Sequence, residues 1–123
     1  MHEQHIDSRD FDFIGMMSEI EEFGRKNLIS QKMIYRAQTV FEELCVQILL
    51  PQLPERFDLL LTMSYARKEE RLTMQIRYSG LCFDPAKSDN TLSLAMLGNI
   101  VRECTHREIN EGEYTNLIDL VIQ

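Results

Sequence analysis

Glu43 and Gln47 are the side chains whose types and spacing first suggest chemistry, a carboxylate and an amide four residues apart. On an α-helix this spacing puts both side chains on one face. The carboxylate of Glu43 is either a catalytic base or a solvated helix residue beside Glu42, and solvation is the commoner use of a glutamate. The pair by itself therefore does not identify an enzyme.

A second feature is the turn Tyr78-Ser79-Gly80-Leu81-Cys82-Phe83-Asp84-Pro85. We interpret Tyr78 as an aromatic residue at the end of a strand with its hydroxyl in water, rather than as a platform for base stacking. The sequence has no Gly-rich loop ending in Lys-Ser or Lys-Thr, no Gly-x-Ser-x-Gly and no His-Glu-x-x-His. An unrelated class of enzyme carrying one of these motifs is therefore not expected.

The cysteines and histidines predict no metal site and no disulfide. Cys45, Cys82 and Cys104 are odd in number and far apart. Cys45 and Cys104 fall on apolar helix stripes, so they are predicted to be reduced core residues. His2 and His5 lie in a start that is expected to be disordered, without further ligands at suitable spacing.

Charge limits the partners. The net charge is −7, which argues against sequence-independent binding to nucleic acid and against an anionic membrane surface, because both depend on Lys and Arg. The first ten residues lack the pattern of a secretory signal, and no apolar run is long enough to cross a bilayer. We expect a cytoplasmic protein without membrane insertion, whose partner is a protein or a small ligand.

The elements that must position these residues begin with helices. The 123 residues are expected to form one domain around one core. Residues 1–12 are predicted to be a weakly ordered tail or an edge strand, with Phe11 and Phe13 in alternation.

Ser18 opens a capping box and predicts a short helix over 17–26. Ser30 caps a long helix over 31–52, whose apolar residues recur every three to four positions. Two prolines end it, Pro51 and Pro54.

Strands follow. Alternating apolar residues over 57–65 and 72–78 predict an antiparallel hairpin with one buried face. Residues 79–90 are predicted to be a long loop. The helical spacing returns over 92–104, and 106–122 is predicted to be a closing hairpin. This order predicts an α+β fold, a two-layer α/β sandwich in which helices cover one face of a mixed, mostly antiparallel sheet.

The order of elements resembles the histidine-kinase-like ATPase (GHKL) superfamily with its Bergerat-type fold, and within it the anti-sigma-factor serine kinases. The resemblance runs from about Met17 to the end of the chain. The residues that carry the resemblance most specifically are Gly80 and Phe83-Asp84-Pro85. They match a turn that has an Asp-x-Gly-x-Gly-Phe-Asp-Pro-like sequence in the family. Residues 114–120 look like the last strand of the family.

The resemblance implies roles for the pair on the long helix. In the family the glutamate at the position of Glu43 activates a water. An asparagine four residues later holds magnesium, and Gln47 stands in its place. The extra methylene of Gln47 displaces the amide, and octahedral magnesium tolerates little displacement of its ligands. The resemblance therefore implies a weakened metal site.

Other contact positions also depart from the family. Tyr78 replaces the aspartate that reads the adenine amino group, and Cys82 replaces a glycine at which the backbone approaches the nucleotide. Thr91 and Ser93 stand where the family has the glycine turn of its phosphate-side lid. The resemblance thus assigns the nucleotide pocket to these residues: Glu43, Gln47, Tyr78, Gly80, Cys82, Asp84, Thr91 and Ser93.

These departures predict a degenerate ATPase-fold domain, without cofactor or catalysis, that acts as a regulatory or protein-interaction module, alone or within a larger signalling or transport protein. The alternative is an ATP-binding, anti-sigma-factor-like serine kinase or ATPase using magnesium and ATP. Glu43 would then be the base and Gln47 the approximate metal ligand, assisted by Asp84 or Asp89. A third reading is a small-molecule sensor that reuses the emptied cleft. A protein partner is expected, and a homodimer is compatible with the sequence.

Overall fold

The computed structural model describes residues 2–7, 9, 11–53, 57–80 and 84–123. Its strands are β1 His2–Asp7, β2 Asp58–Ala66, β3 Arg71–Tyr78, β4 Val101–Glu111 and β5 Tyr114–Ile122. They form one five-stranded sheet in the order β1-β2-β3-β5-β4. The α+β prediction is confirmed.

The predicted mixed sheet is corrected, because each pair of neighbouring described strands is antiparallel. β4 runs in the direction of β3, but β5 lies between them, so these two strands do not pair. Both predicted hairpins are present. In the closing hairpin, Gly112 has φ +64° and begins the turn between Glu111 and Tyr114, where a positive φ fits the twist of the strands.

Three α-helices accompany the sheet: α1 Phe13–Lys26, α2 Gln31–Val40 and α3 Thr91–Gly98. α2 continues as a π-helical segment, Phe41–Leu49, and a 3₁₀ turn, Leu50–Gln52. We call the whole run from residue 31 to residue 52 the long helix, and its prediction is confirmed. The Ser30 cap is confirmed too, because its hydroxyl accepts the Met33 N–H at 3.2 Å. Pro54 lies outside the described residues.

At the start of the chain, the edge-strand alternative predicted within residues 1–12 is met, but at other residues than Phe11 and Phe13. Residues 2–7 form an edge strand, and Gln4 and Ile6 on its covered side are 3% and 1% exposed. A strand around Phe11 and Phe13 was wrong, because α1 already begins at Phe13. The Asp12 carboxylate accepts the Gly15 N–H at 3.0 Å and caps the helix there. The capping box at Ser18 is therefore not the start of this helix.

The predicted helix over 92–104 was also too long. α3 ends at Gly98 and β4 begins at Val101, so Cys104 lies on a strand. Asn99 terminates α3 through backbone N–H bonds to the carbonyls of Met96 and Leu97. The apolar spacing of residues 100–104 matches a helix by coincidence, because strand pairing with β5 decides this segment.

The core lies between the sheet and the helices. Most of the apolar residues predicted for one face of β2 and β3 are at most 1% exposed, and the partly buried Phe57 and Tyr65 pack against them, which confirms the buried face of the hairpin. They join one cluster with Leu44 and Ile48 of the long helix. The arrangement is compatible with a two-layer sandwich. Within the described ranges, no helix has the length and apolarity needed to cross a membrane.

Candidate functional site

Glu43 and Ser93 meet across the gap between the long helix and α3. The Ser93 hydroxyl donates to Glu43 Oε2 at 2.5 Å. Ser93 is 3% exposed, and its backbone N–H bonds to the side chain of Asn90, which caps α3. This contact joins the two helices. It is a strong contact, since a hydrogen bond to a charged acceptor is stronger than one between neutral groups.

Gln47 does not share that environment. Glu43 is half-buried, whereas Gln47 is exposed. Both lie in the π-helical segment Phe41–Leu49. Gln47 is thus open to solvent, whereas the Glu43 carboxylate is in contact with Ser93.

Ser93→Ala is expected to lower the free energy of unfolding by about 1–3 kcal/mol, because the half-buried Glu43 carboxylate loses its donor. Urea denaturation followed by circular dichroism measures this change. Thr91→Ala is the matched control, since Thr91 is exposed in the same helical turn and its replacement should change stability by no more than about 0.5 kcal/mol. Equal effects of the two variants would contradict a stabilising role for the Ser93 hydroxyl.

Tyr78 is 0% exposed, so the prediction of a hydroxyl in water was wrong. Its ring stacks with that of His106, with centroids 6.3 Å apart and planes inclined by 26°. Asn116 is the register partner of Tyr78 on β5 and is also 0% exposed. His106 Nε2 and Asn116 Oδ1 are 2.9 Å apart, so the N–H of the imidazole points at the amide oxygen. We call Tyr78, His106 and Asn116 the Tyr78 cluster.

Sequence reasoning did not select His106 or Asn116 as site residues. The signal that could have found Asn116 is the alternation of β5, where Ile118 and Leu120 are buried on the same face. His106 could then have been placed on the same face, because it is the register partner of Ile118. The alternation was visible in the sequence, but a buried asparagine breaks the apolar pattern on which such a reading depends.

The other described residues of the predicted set make contacts of their own. Gly80 has φ +102°, a conformation that favours glycine, and its carbonyl accepts the Thr115 hydroxyl at 3.1 Å. Asp84 accepts the Ala86 N–H at 3.0 Å and caps a short 3₁₀ turn. Thr91 is exposed at the start of α3, and Cys82 lies outside the described residues. Among the described members of the predicted set, the structure thus brings Glu43 and Ser93 into direct contact.

A cavity of 210 Å³ lies between α3 and the β4 end of the sheet. Apolar side chains dominate its lining, among them Leu44, Leu94 and Leu97. Among described residues of the predicted set, only Asp84 contributes to it. Ligand pockets are commonly larger, about 300–1,000 Å³. The cavity is therefore smaller and more apolar than a site for a nucleoside triphosphate usually is.

The described thiols are poor nucleophiles. Burial raises the pKa of Cys45 to about 12, and its place in the core confirms the prediction. Burial first, and then the negative charge of Asp84, also raise the pKa of Cys104. Cys104 as a whole residue is nevertheless exposed, so its assignment to the core was wrong. Because the thiolate is the reactive form, neither thiol is activated at neutral pH.

Metal ligands are not gathered in the part of the chain that the structure describes. There, no group of three or more His, Cys, Asp or Glu side chains is placed to hold a metal ion. Comparison with known proteins adds no family, since no protein-family model matches this chain and no curated protein matches it either. The contacts of the Tyr78 cluster and of Glu43 therefore carry the functional interpretation.

Proposed function

We propose that this chain is a histidine-kinase-like ATPase-type domain whose nucleotide site has been replaced by packed side chains, and that it acts as a regulatory or protein-interaction module. The order of helices and strands after β1, and the cover of the sheet by the long helix, are compatible with the fold that the resemblance implies. A likeness of fold does not give a function. The function is therefore argued from the site.

The burial of Tyr78 carries the proposal. The resemblance puts an adenine-reading aspartate at this position. Here the position holds an aromatic ring that is 0% exposed and stacks on His106. An adenine at this place would have to displace the ring from the core. Removing a buried aromatic side chain costs about 3–5 kcal/mol, so binding would begin with a large penalty.

The environment of Glu43 supports the same conclusion. The serine kinase or ATPase alternative needs the Glu43 carboxylate to act on a water and the Gln47 amide to hold magnesium. Instead, Glu43 Oε2 accepts the buried Ser93 hydroxyl at 2.5 Å, and Gln47 is exposed. Because the carboxylate is engaged by a neighbour and the amide is exposed to solvent, the arrangement does not favour a shared site for metal and water.

Nucleotide is expected to leave the melting temperature unchanged. Differential scanning fluorimetry with magnesium and ATP, or magnesium and ADP, tests this, with magnesium alone as the control. A ligand at a hundred times its dissociation constant would stabilise the fold by about 2.7 kcal/mol, which such a measurement detects. A saturable rise that Glu43→Ala and Gln47→Ala abolish, together with measured phosphotransfer, would instead establish the kinase or ATPase alternative.

A further inference from the structure

The outer edge of β4 is open. β4 pairs with β5 on one side, and no other described strand lies beyond it. Its eleven residues are mostly exposed. A strand at the edge of a sheet presents a row of unpaired N–H and C=O groups that can bond to another strand. β4 therefore offers a long surface on which a further strand fits.

The charges along β4 are self-complementary about Thr105. In an antiparallel pairing of two copies centred on that residue, Glu103 of each copy lies opposite Arg107 of the other. Arg102 corresponds to Glu108 in the same register, but it lies at an irregularity of β4, so the match depends on Glu103 and Arg107. A two-fold axis produces each of these pairs twice. Opposite charges directly across a strand pair stabilise it, whereas like charges destabilise it.

Other registers lose this match. Sliding one copy of β4 by a single residue would put the core face of one sheet beside the outer face of the other. The alternative registers are therefore those in which the two-fold axis passes through another residue of β4. Centring on Glu103 or on Arg107 sets that residue against its own copy, with like charges opposed. Centring on Cys104 or on His106 leaves no Glu opposite an Arg. The register about Thr105 is therefore the favoured one.

The backbone of β4 suits this register. Irregularities occur between Val101 and Glu103 and between Glu108 and Glu111. The stretch between them, 103–108, pairs regularly with β5 and is centred within half a residue of Thr105. Glu103 and Arg107 lie on the face of the sheet opposite to the core residue Leu120, which is the register partner of Cys104. On that face the Arg107 guanidinium lies 3.9 Å from Asp119 Oδ2 of its own chain, but its side chain remains 67% exposed, so it can also contact Glu103 of a second copy.

α3 provides apolar contact on the other face. It packs beside β4, and Leu92 and Met96, one turn apart on it, are 73% and 40% exposed. A two-fold axis perpendicular to the sheet puts both copies of α3 on the same side of the junction. Covering such side chains adds stability roughly in proportion to the apolar area buried.

We propose that two copies of this chain form a homodimer by antiparallel pairing of their β4 strands about Thr105, so that the two sheets become one. The partner at this surface is a second copy, because the charges match their own reverse order. The dimer is independent of whether nucleotide binds, so its failure would leave the proposed function untouched.

Sedimentation equilibrium of the full chain over a range of concentrations tests the dimer. The wild-type chain is expected to dimerise. Arg107→Glu sets Glu103 against a second glutamate in both symmetric pairs, so the dimer dissociation constant should rise about tenfold or more. Glu103→Arg should weaken the dimer in the same way. The double swap, Glu103→Arg with Arg107→Glu, restores opposite charges across the axis and should recover most of the affinity.

Glu3→Arg is the matched control for Glu103→Arg, because it makes the same change of charge on β1, at the opposite edge of the sheet. This variant should dimerise like the wild-type chain. Melting curves show whether each variant is folded. A wild-type chain that stays monomeric at its highest soluble concentration would overturn the proposal. So would a dimer that ignores Arg107→Glu, or one that the double swap fails to restore although the monomer is folded.

Discussion

Replacing Tyr78 with aspartate, the residue type that the resemblance expects there, should destabilise the protein by about 3–5 kcal/mol or more. The change removes an aromatic ring that is 0% exposed. It also puts a carboxylate at a position where it is shielded from water, and burial strongly disfavours the charged form. Since a domain is typically stable by only about 5–15 kcal/mol, the variant should be largely unfolded or close to it. Urea denaturation followed by circular dichroism measures the loss.

Tyr78→Phe is the control for this prediction. It keeps the ring that stacks on His106 and removes only the hydroxyl, so it should cost no more than about 1–3 kcal/mol. The comparison separates packing from the polar group. If Tyr78→Asp remained as stable as the wild-type chain and also melted higher with magnesium and ATP, an adenine pocket would exist behind the ring. The proposed loss of the nucleotide site would then be wrong.

Phe41→Ala should lower the free energy of unfolding by about 3–5 kcal/mol. Phe41 is 0% exposed at the start of the π-helical segment. Its ring stacks with that of Phe13 in α1, with centroids 5.8 Å apart, so the residue joins α1 to the long helix. Alanine leaves a cavity that the surrounding helices can fill only in part. Thermal and urea denaturation measure the change.

Tyr35→Ala is the matched control for Phe41→Ala. It removes an aromatic ring from the same long helix, but Tyr35 is 61% exposed. A change within about 0.5 kcal/mol is expected, as for other exposed positions. Comparable losses in both variants would show that Phe41 does not pack in the core as described. A loss confined to Phe41→Ala would support the stacking of α1 on the long helix.

The Tyr78 cluster also shows how buried polar groups are satisfied in this core. A buried polar group destabilises a core unless it is hydrogen-bonded. Asn116, 0% exposed, meets this requirement through His106 at 2.9 Å and through a bond from its amide to the Thr115 hydroxyl at 3.2 Å. The polar groups at this place are thus engaged with one another. This internal hydrogen bonding supports the proposed function, in which packed side chains stand in place of a nucleotide site.

Local sequence determined much of the fold. The long helix, its Ser30 cap, the β2–β3 hairpin and the turn at Gly112 all follow from spacing or from residues that act on their near neighbours. Each of these signals works over a few residues, so it survives whatever the rest of the chain does. The general class, α+β, followed from the order of such elements.

Tertiary structure alone decided the site. Whether Tyr78 is buried depends on β4 and β5, which follow it at a distance in the sequence. The contact between Glu43 and Ser93 likewise joins residues that are far apart in the sequence. Segment 101–104 became a strand because β5 offers it partners, although its apolar spacing also suits a helix. Burial and pairing are properties of the whole packed chain, whereas periodicity is a property of a segment. A pattern can therefore predict an element without predicting which of its residues are open to a ligand.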